Sequence, residues 1–161
     1  MKLKTYEHTF FKFNYSEKRK IFDDFKETNY LSISFERDDY EIIDIYFRLI
    51  GDEEITESRL MEYHKFTLLP TLNKKPIINE MNKVGNLKGQ GIQFNGEQNI
   101  NSNKANLTGF TFVTKLKAPI DGITQIVIFG YYGTGINNKP ALNESEKEEL
   151  EAFFDSIEIL Q

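Results

Sequence analysis

Apolar and polar residues alternate along the first third of the chain in the two-residue rhythm of half-buried β-strands. Residues 8–15 read as an opening strand with Phe11, Phe13 and Tyr15 on one face. Tyr30–Arg37 turns Leu31, Ile33 and Phe35 inward and Ser32, Ser34 and Glu36 outward. Residues 41–49 repeat the pattern with Ile43, Ile45, Phe47 and Leu49. Asp38-Asp39 supplies a turn between these two runs, so they predict a hairpin. Residues 17–28 break the rhythm. They are charged and carry Ile21, Phe22 and Phe25 at helical spacing, which predicts a short helix or turn.

A helical period follows. Thr56 is a good N-cap, and residues 57–69 place Leu60, Met61, His64 and Leu68 on one stripe, with Pro70 closing the helix. Lys74-Lys75-Pro76 reads as a loop and Ile77–Val84 as a strand. Glycines at 85, 89, 91 and 96 punctuate the next stretch, where Gln90, Ile92 and Phe94 alternate with polar partners. This predicts a strand with a turn or bulge near Gly96. Residues 107–116 and 123–132 are two β-rich runs joined by Ala118-Pro119-Ile120-Asp121-Gly122, which has turn chemistry. In the second run Ile126 and Ile128 face one way and Val127 and Phe129 the other. A strand apolar on both faces is central and covered on both sides, by helices or by a second sheet. The chain closes with a helix capped by Asn143 and Glu146, a variant of the capping box, with Leu150, Phe153, Phe154 and Ile157 as its apolar stripe. Residues 156–160 can return as a short edge strand. The expected fold class is α+β, an antiparallel sheet of about five to seven strands flanked by helices on both faces.

Composition limits the functions open to this pattern. A chain of 161 residues fits a single domain, 1–161, and 14 Phe and 8 Tyr give it ample core material without a metal or disulfide. The net charge of −5 argues against nucleic acid, whose binding needs a basic surface, and mildly against anionic lipid. The basic positions Lys2, Lys4, Lys12, Lys18, Arg19 and Lys20 are soon interrupted by acidic ones and read as a solvated face. There is no cysteine, which excludes thiolate metal sites, Cys nucleophiles and a lipidated cysteine within these residues. No apolar run approaches the roughly 20 residues of a membrane span. Residues 1–13 hold no apolar signal-peptide core, so the expected location is the cytoplasm, or the periplasm and envelope if a leader has been removed.

Candidate chemistry is sparse. His8 and His64 are the only histidines, and no HExxH pattern surrounds them. His64 lies on the helix stripe beside Leu60 and Leu68, where a satisfied core histidine is the ordinary outcome; His8 lies near a fraying end. The acidic pairs Asp23-Asp24, Asp38-Asp39 and Glu53-Glu54 and the run 144–151 read as solvated charge, not as a glycosidase pair. Asp38-Asp39 and Asp52-Glu53-Glu54 could hold calcium weakly but lack EF-hand spacing. The glycine stretches 85–91 and 130–135 lack a Walker lysine and do not lead directly into a helix, so loop and bulge geometry accounts for them. No catalytic, metal or cofactor-binding residue is assigned. Tyr131, Tyr132, Phe10, Tyr63 and His64 are the candidates for a partner surface.

The order of elements resembles the PsbP-like/Mog superfamily. The resemblance rests on the hairpin from Tyr30 to Leu49, a crossover helix from Thr56 to Leu69 and the glycine-punctuated strand from Gly89 to Gly96. It continues through the paired runs 107–116 and 123–132 to the closing helix and strand at Phe154 to Leu160. It implies an α/β/α sandwich and a non-enzymatic role. Among its bacterial members are chaperones for type VI secretion effectors. Fold-level likeness carries function weakly, and no residue transfers position by position. The leading expectation is therefore a binding or adaptor domain for a protein or peptide, with the oligomeric state, homodimer included, left open. The alternatives are a small-molecule binder or unrecognised hydrolase, with His64, Tyr63 and Glu62 as first suspects, and a structural envelope protein.

Overall fold

The computed structural model describes residues 2–37, 40–100 and 102–160, and in it strand follows strand. The elements are β1 (Leu3–Glu7), β2 (Phe11–Ser16), β3 (Lys20–Asp24), β4 (Tyr30–Arg37), β5 (Tyr40–Ile50), α1 (Glu57–Glu62), β6 (Ile77–Val84), β7 (Leu87–Ile100), β8 (Asn103–Ile120), β9 (Ile123–Ile136), β10 (Lys139–Pro140), α2 (Glu144–Ser156) and β11 (Glu158–Ile159). A 3-10 turn spans Leu69–Thr71. An eight-stranded antiparallel sheet runs β3-β4-β5-β9-β8-β7-β6, with β10 attached to β9. A three-stranded sheet runs β1-β2-β11.

The double-sided apolar pattern of β9 is realised at the centre of the large sheet. Ile126 and Ile128 enter one hydrophobic cluster, Val127 and Phe129 another, and the first three of these side chains are fully buried. On the Ile126 face, the small sheet and α2 pack down together. Phe11 and Phe13 of β2 stack on Phe47 of β5 at 4.9 and 5.1 Å, and Phe153 of α2 meets Phe13 edge-on at 5.1 Å. Each fully buried Phe contributes roughly 1.5–3 kcal/mol relative to exposure, so this aromatic seam is the main cement between the layers. On the Val127 face, α1 and the turns after it cover only part of the sheet.

The hairpins follow local chemistry. Asp121 and Gly122 both have positive φ, 51° and 79°, the combination that a two-residue β8–β9 turn requires. Asn143 and Glu146 cap α2 reciprocally, at 3.0 and 2.8 Å, as the spacing predicts. The paired strands β4 and β5 bury Leu31, Ile33, Phe35, Ile43, Ile45, Phe47 and Leu49 as their alternation demands. The final residues return as β11 at the margin of the small sheet.

The α/β/α sandwich does not form, and with it the PsbP-like/Mog architecture is not what this chain builds. The fold is mostly β, and among the described residues it has two α-helices, of 6 and 13 residues. Three local outcomes explain the difference. Residues 17–28 hold strand β3 in place of a helix. Ile21 turns to the core and Phe22 to solvent, because pairing with β4 imposes a period of two that overrides the apolar spacing. The predicted helix 57–69 ends at Glu62. Beyond it His64, Lys65 and Thr67 bond back three residues, and Pro70 has no N–H to continue a ladder. β7, β8 and β9 run to 14, 18 and 14 residues, well past their predicted ends. The pairing of β7 with β8 passes Gly96 without interruption; the irregularities among β6 to β9 lie between Met81 and Lys83, between Asn106 and Leu107 and between Lys115 and Ile120. The predicted turn at Asp38-Asp39 lies outside the described residues.

Candidate functional site

Positions on the Val127 face of the sheet line up across strands. Phe22, Ser32, Tyr46, Phe129, Thr111, Ile92 and Glu80 form one transverse row in the pairing register. The next row brings Tyr30 and Arg48 beside Val127 and Val113. Sheet registry thus collects residues from β3, β4, β5 and β9 on one surface.

His64 anchors α1 over the middle of this row. Its Nε2 lies 2.9 Å from Thr111 Oγ1 and 3.0 Å from the Phe110 carbonyl. Thr111 Oγ1 donates its one proton to the Leu60 carbonyl at 2.9 Å, so it accepts from His64. The imidazole proton therefore resides on Nε2, shared between the two oxygens. The ring is 2% exposed and packs edge-on to Phe94 at 5.2 Å. Burial drives its pKa down to about 4, against the opposing pull of the Phe110 carbonyl, so it is neutral at pH 7. His64 is a brace between helix and sheet.

Tyr63, next in the chain, points the other way along the face. Its ring meets Phe129 at 4.8 Å, and Phe129 in turn stacks on Tyr46 at 5.1 Å and meets Tyr30 edge-on at 5.9 Å. The Arg48 guanidinium lies 5.0 Å from the Tyr30 ring centre, and its Nη1 donates to the Tyr30 hydroxyl at 2.9 Å. The Tyr46 hydroxyl donates to Asp44 Oδ2 at 2.7 Å. At the rim Arg59 lies 5.0 Å from the Tyr63 ring centre and donates to Glu53 at 2.7 Å and Glu62 at 3.1 Å. Burial raises the Tyr63 hydroxyl pKa, outweighing the downward pull of Arg59 and Arg48.

Among the described residues, two side-chain polar atoms of this face are buried with no hydrogen-bond partner: Arg48 Nε and Tyr63 Oη. Burial of a donor without an acceptor costs free energy, so native folds rarely leave one unmet. Here one belongs to a side chain bonded to Tyr30 and the other to a ring packed on Phe129, which itself meets Tyr30. Both can donate, and neither side chain is a nucleophile matched to a free base. The arrangement suits recognition of an oxygen acceptor beside apolar surface. Sequence reasoning named Tyr63 but passed over Tyr30, Tyr46 and Arg48. Tyr46 and Arg48 left a signal: with Asp44 they occupy outward positions of β5 and are heavier than a merely solvated face requires.

The other predicted residues are scattered. Tyr131 and Tyr132 are half-buried on opposite faces of β9. Tyr131 packs with Leu68 and Phe94, whereas Tyr132 lines a cleft of about 400 Å³ with Leu142, Leu150 and Phe154 against α2. Phe10 is buried in the main core. His8 is held against Phe25 at 4.7 Å and accepts from the Phe10 amide at 3.3 Å. Asp52 accepts from Thr124 and Glu53 from Arg59, so neither belongs to a calcium loop; Asp38-Asp39 is outside the described residues. Gly85 and Asn86 make the β6–β7 turn, with Gly85 at φ 54°, while Gly89 and Gly91 lie within β7 and Gly130 to Gly135 within β9, so the first glycine stretch opens on a turn and the second is strand. Among the described residues no group of three or more His, Asp or Glu side chains could hold a metal ion, and no helix is long and apolar enough to cross a membrane.

No protein-family model matches the chain, and neither does any curated protein. Among the solved structures that resemble it are two described as follows. One is a protein of Bacteroides thetaiotaomicron VPI-5482, with a TM-score of 0.43 and 10% identity over 94% of this chain and 45% of that one. The chain thus spans less than half the length of that neighbour. The other is LpqN of Mycobacterium tuberculosis, described as involved in cell envelope biogenesis, with a TM-score of 0.45 and 11% identity over 94% of this chain and 83% of that one.

Proposed function

We propose that this chain is a non-enzymatic binding domain that holds a protein or peptide segment on the tyrosine–arginine face of its large sheet. The single observation that carries the reading is the half-buried cluster of Tyr30, Tyr46, Tyr63 and Arg48 on the sheet face that α1 leaves partly uncovered. A peptide suits such a surface. Its carbonyl or carboxylate oxygens are acceptors for a guanidinium, and its side chains supply apolar surface for the rings. His64 favours binding over hydrolysis, because its Nε2 is committed to Thr111 and Phe110 within the core.

The test is affinity capture from the native organism with the wild-type chain and a Tyr46→Ser/Arg48→Leu variant in parallel, both first shown to be folded by circular dichroism. A partner retained by the wild type and lost by the variant supports the reading. A partner retained equally by both, or none retained by the wild type across salt and pH conditions, overturns it.

A further inference from the structure

Among the described residues, the large apolar side chains most open to solvent are Leu3, Phe22, Phe66 and Ile77. The two most exposed, Phe66 at 86% and Ile77 at 81%, stand at the two ends of the connection that joins α1 to β6. Each has lysine beside it: Lys65 precedes Phe66, and Lys74 and Lys75 come just before Pro76 and Ile77. Residues 63–79 hold these three lysines and no Asp or Glu, although the chain as a whole carries a charge of −5.

The connection is anchored to the sheet. Leu68 is buried with Phe94 and Leu107, and Leu69 and Leu72 pack against them. The Asn73 amide donates to the Glu97 carbonyl at 2.7 Å. With the leucines turned inward, Lys65, Phe66, Pro70, Lys74 and Lys75 are left exposed. The Lys65 ammonium lies 5.4 Å from the centre of the Phe66 ring, so a positive charge and an apolar ring stand at one point of the surface. Lys74 helps hold the Glu97 carboxylate ionised, but that group is already engaged by Lys104 at 3.3 Å and by the Asn73 side chain at 3.2 Å.

This chemistry selects an occupant. A protein partner would have to bring a pocket to the protruding Phe66 ring. A lipid interface needs none: an apolar tip sinks into the boundary between headgroups and acyl chains, while lysine stems lie along it and their ammonium groups meet phosphate. The net charge of the whole chain argues mildly against anionic lipid. At contact the local balance decides, because screening limits charge effects to about 8 Å at physiological ionic strength. Each lysine at an anionic leaflet strengthens partitioning about fivefold, which makes the attachment weak and reversible.

We propose that the connection between α1 and β6 is a peripheral docking site for an anionic phospholipid surface. Phe66 enters the headgroup boundary, and Lys65, Lys74 and Lys75 lie against lipid phosphates. The site uses neither Tyr30, Tyr46 nor Arg48, so it stands or falls apart from the peptide-binding reading.

The chain contains no tryptophan, so Phe66→Trp introduces a sole fluorescent reporter at this exposed position. The variant is titrated with vesicles of phosphatidylcholine alone and of phosphatidylcholine mixed with phosphatidylglycerol. Attachment of the wild type to the same vesicles is read by co-sedimentation at low and high salt. The wild type should sediment with the mixed vesicles only and be released by high salt, and the reporter's emission should move to shorter wavelength. Lys74→Gln/Lys75→Gln should weaken partitioning about 25-fold, and Phe66→Ser about tenfold. Both variants change exposed side chains, so their circular dichroism and melting should match the wild type. Absence of attachment to the mixed vesicles at low salt overturns the proposal. So does attachment that the folded Phe66→Ser variant keeps in full, or a reporter emission that does not move.

Discussion

Arg19 and Glu149, 130 residues apart in the chain, meet in a two-pronged ion pair with both contacts at 2.7 Å. The Arg19 guanidinium also lies 4.0 Å from the centre of the Phe35 ring. The pair ties α2 to the turn that launches β3, and it is largely shielded, with side-chain exposures of 17% and 9%. Breaking such a pair on one side leaves a charge stranded, whereas replacing both sides removes the need for it. Glu149→Gln is expected to cost about 2–4 kcal/mol in urea denaturation. The double variant Arg19→Met/Glu149→Leu should cost less than either single change; a double variant as unstable as the sum of the two would refute this account.

The neutral, buried His64 makes stability depend on pH. Its folded-state pKa, about 4, is below its ordinary value of 6.5. Between those values the unfolded chain binds a proton that the folded chain refuses. Stability from this group is therefore complete above pH 6.5 and falls as the pH drops towards 4, by about 3 kcal/mol at most. The comparison to make is denaturation midpoints of wild type and His64→Gln at pH 7 and pH 4.5. The wild type should lose more stability than the variant; equal losses would show that His64 is not the group responsible.

Gly130 sits within β9 at φ 153°, where a Cβ would collide with the Asp44 carbonyl of the neighbouring strand. Gly130→Ala must push β5 and β9 apart at the sheet centre. The expected loss is about 4 kcal/mol or more, enough to leave a marginal domain unfolded. Soluble expression and thermal melting report it directly.

The capping box of α2 is a milder test. Asn143→Ala removes the acceptor for the Glu146 amide and should lower stability by about 1 kcal/mol. Asn143→Asp keeps the acceptor and should leave stability near wild type, which separates capping from any general effect at this position.

Legibility along this chain followed the range of the interactions involved. The alternation of β4 and β5, the turn at Asp121-Gly122 and the cap at Asn143 depend on neighbours a few residues away, and each was readable. Residues 17–28 were misread because Ile21, Phe22 and Phe25 satisfy a helical period by accident, and only pairing with β4 decides between the two periods. The helix after Thr56 was overextended because its stripe is real, but His64 spends that stripe on a sheet contact with Thr111, 47 residues away. Of the tyrosine–arginine face, Tyr63 was singled out beside His64. Tyr46 and Arg48 left a signal in the heavy outward positions of β5, but only the packing of α1 over part of the sheet decides which outward residues become half-covered, and Tyr30 carried no such signal.

By itself, the sequence determined that β-strands would dominate the middle of the chain, that 123–132 would be buried on both sides, and that a capped helix would end it. These follow from side-chain periodicity and turn chemistry, which act within a few residues. Only the tertiary structure decided that one face of the sheet would be sealed by a second sheet together with α2, while the other would be left half open with Arg48 and Tyr63 upon it. That choice depends on strand registry and on contacts between residues more than a hundred positions apart, such as Arg19 with Glu149. Such contacts exist only once the layers have packed.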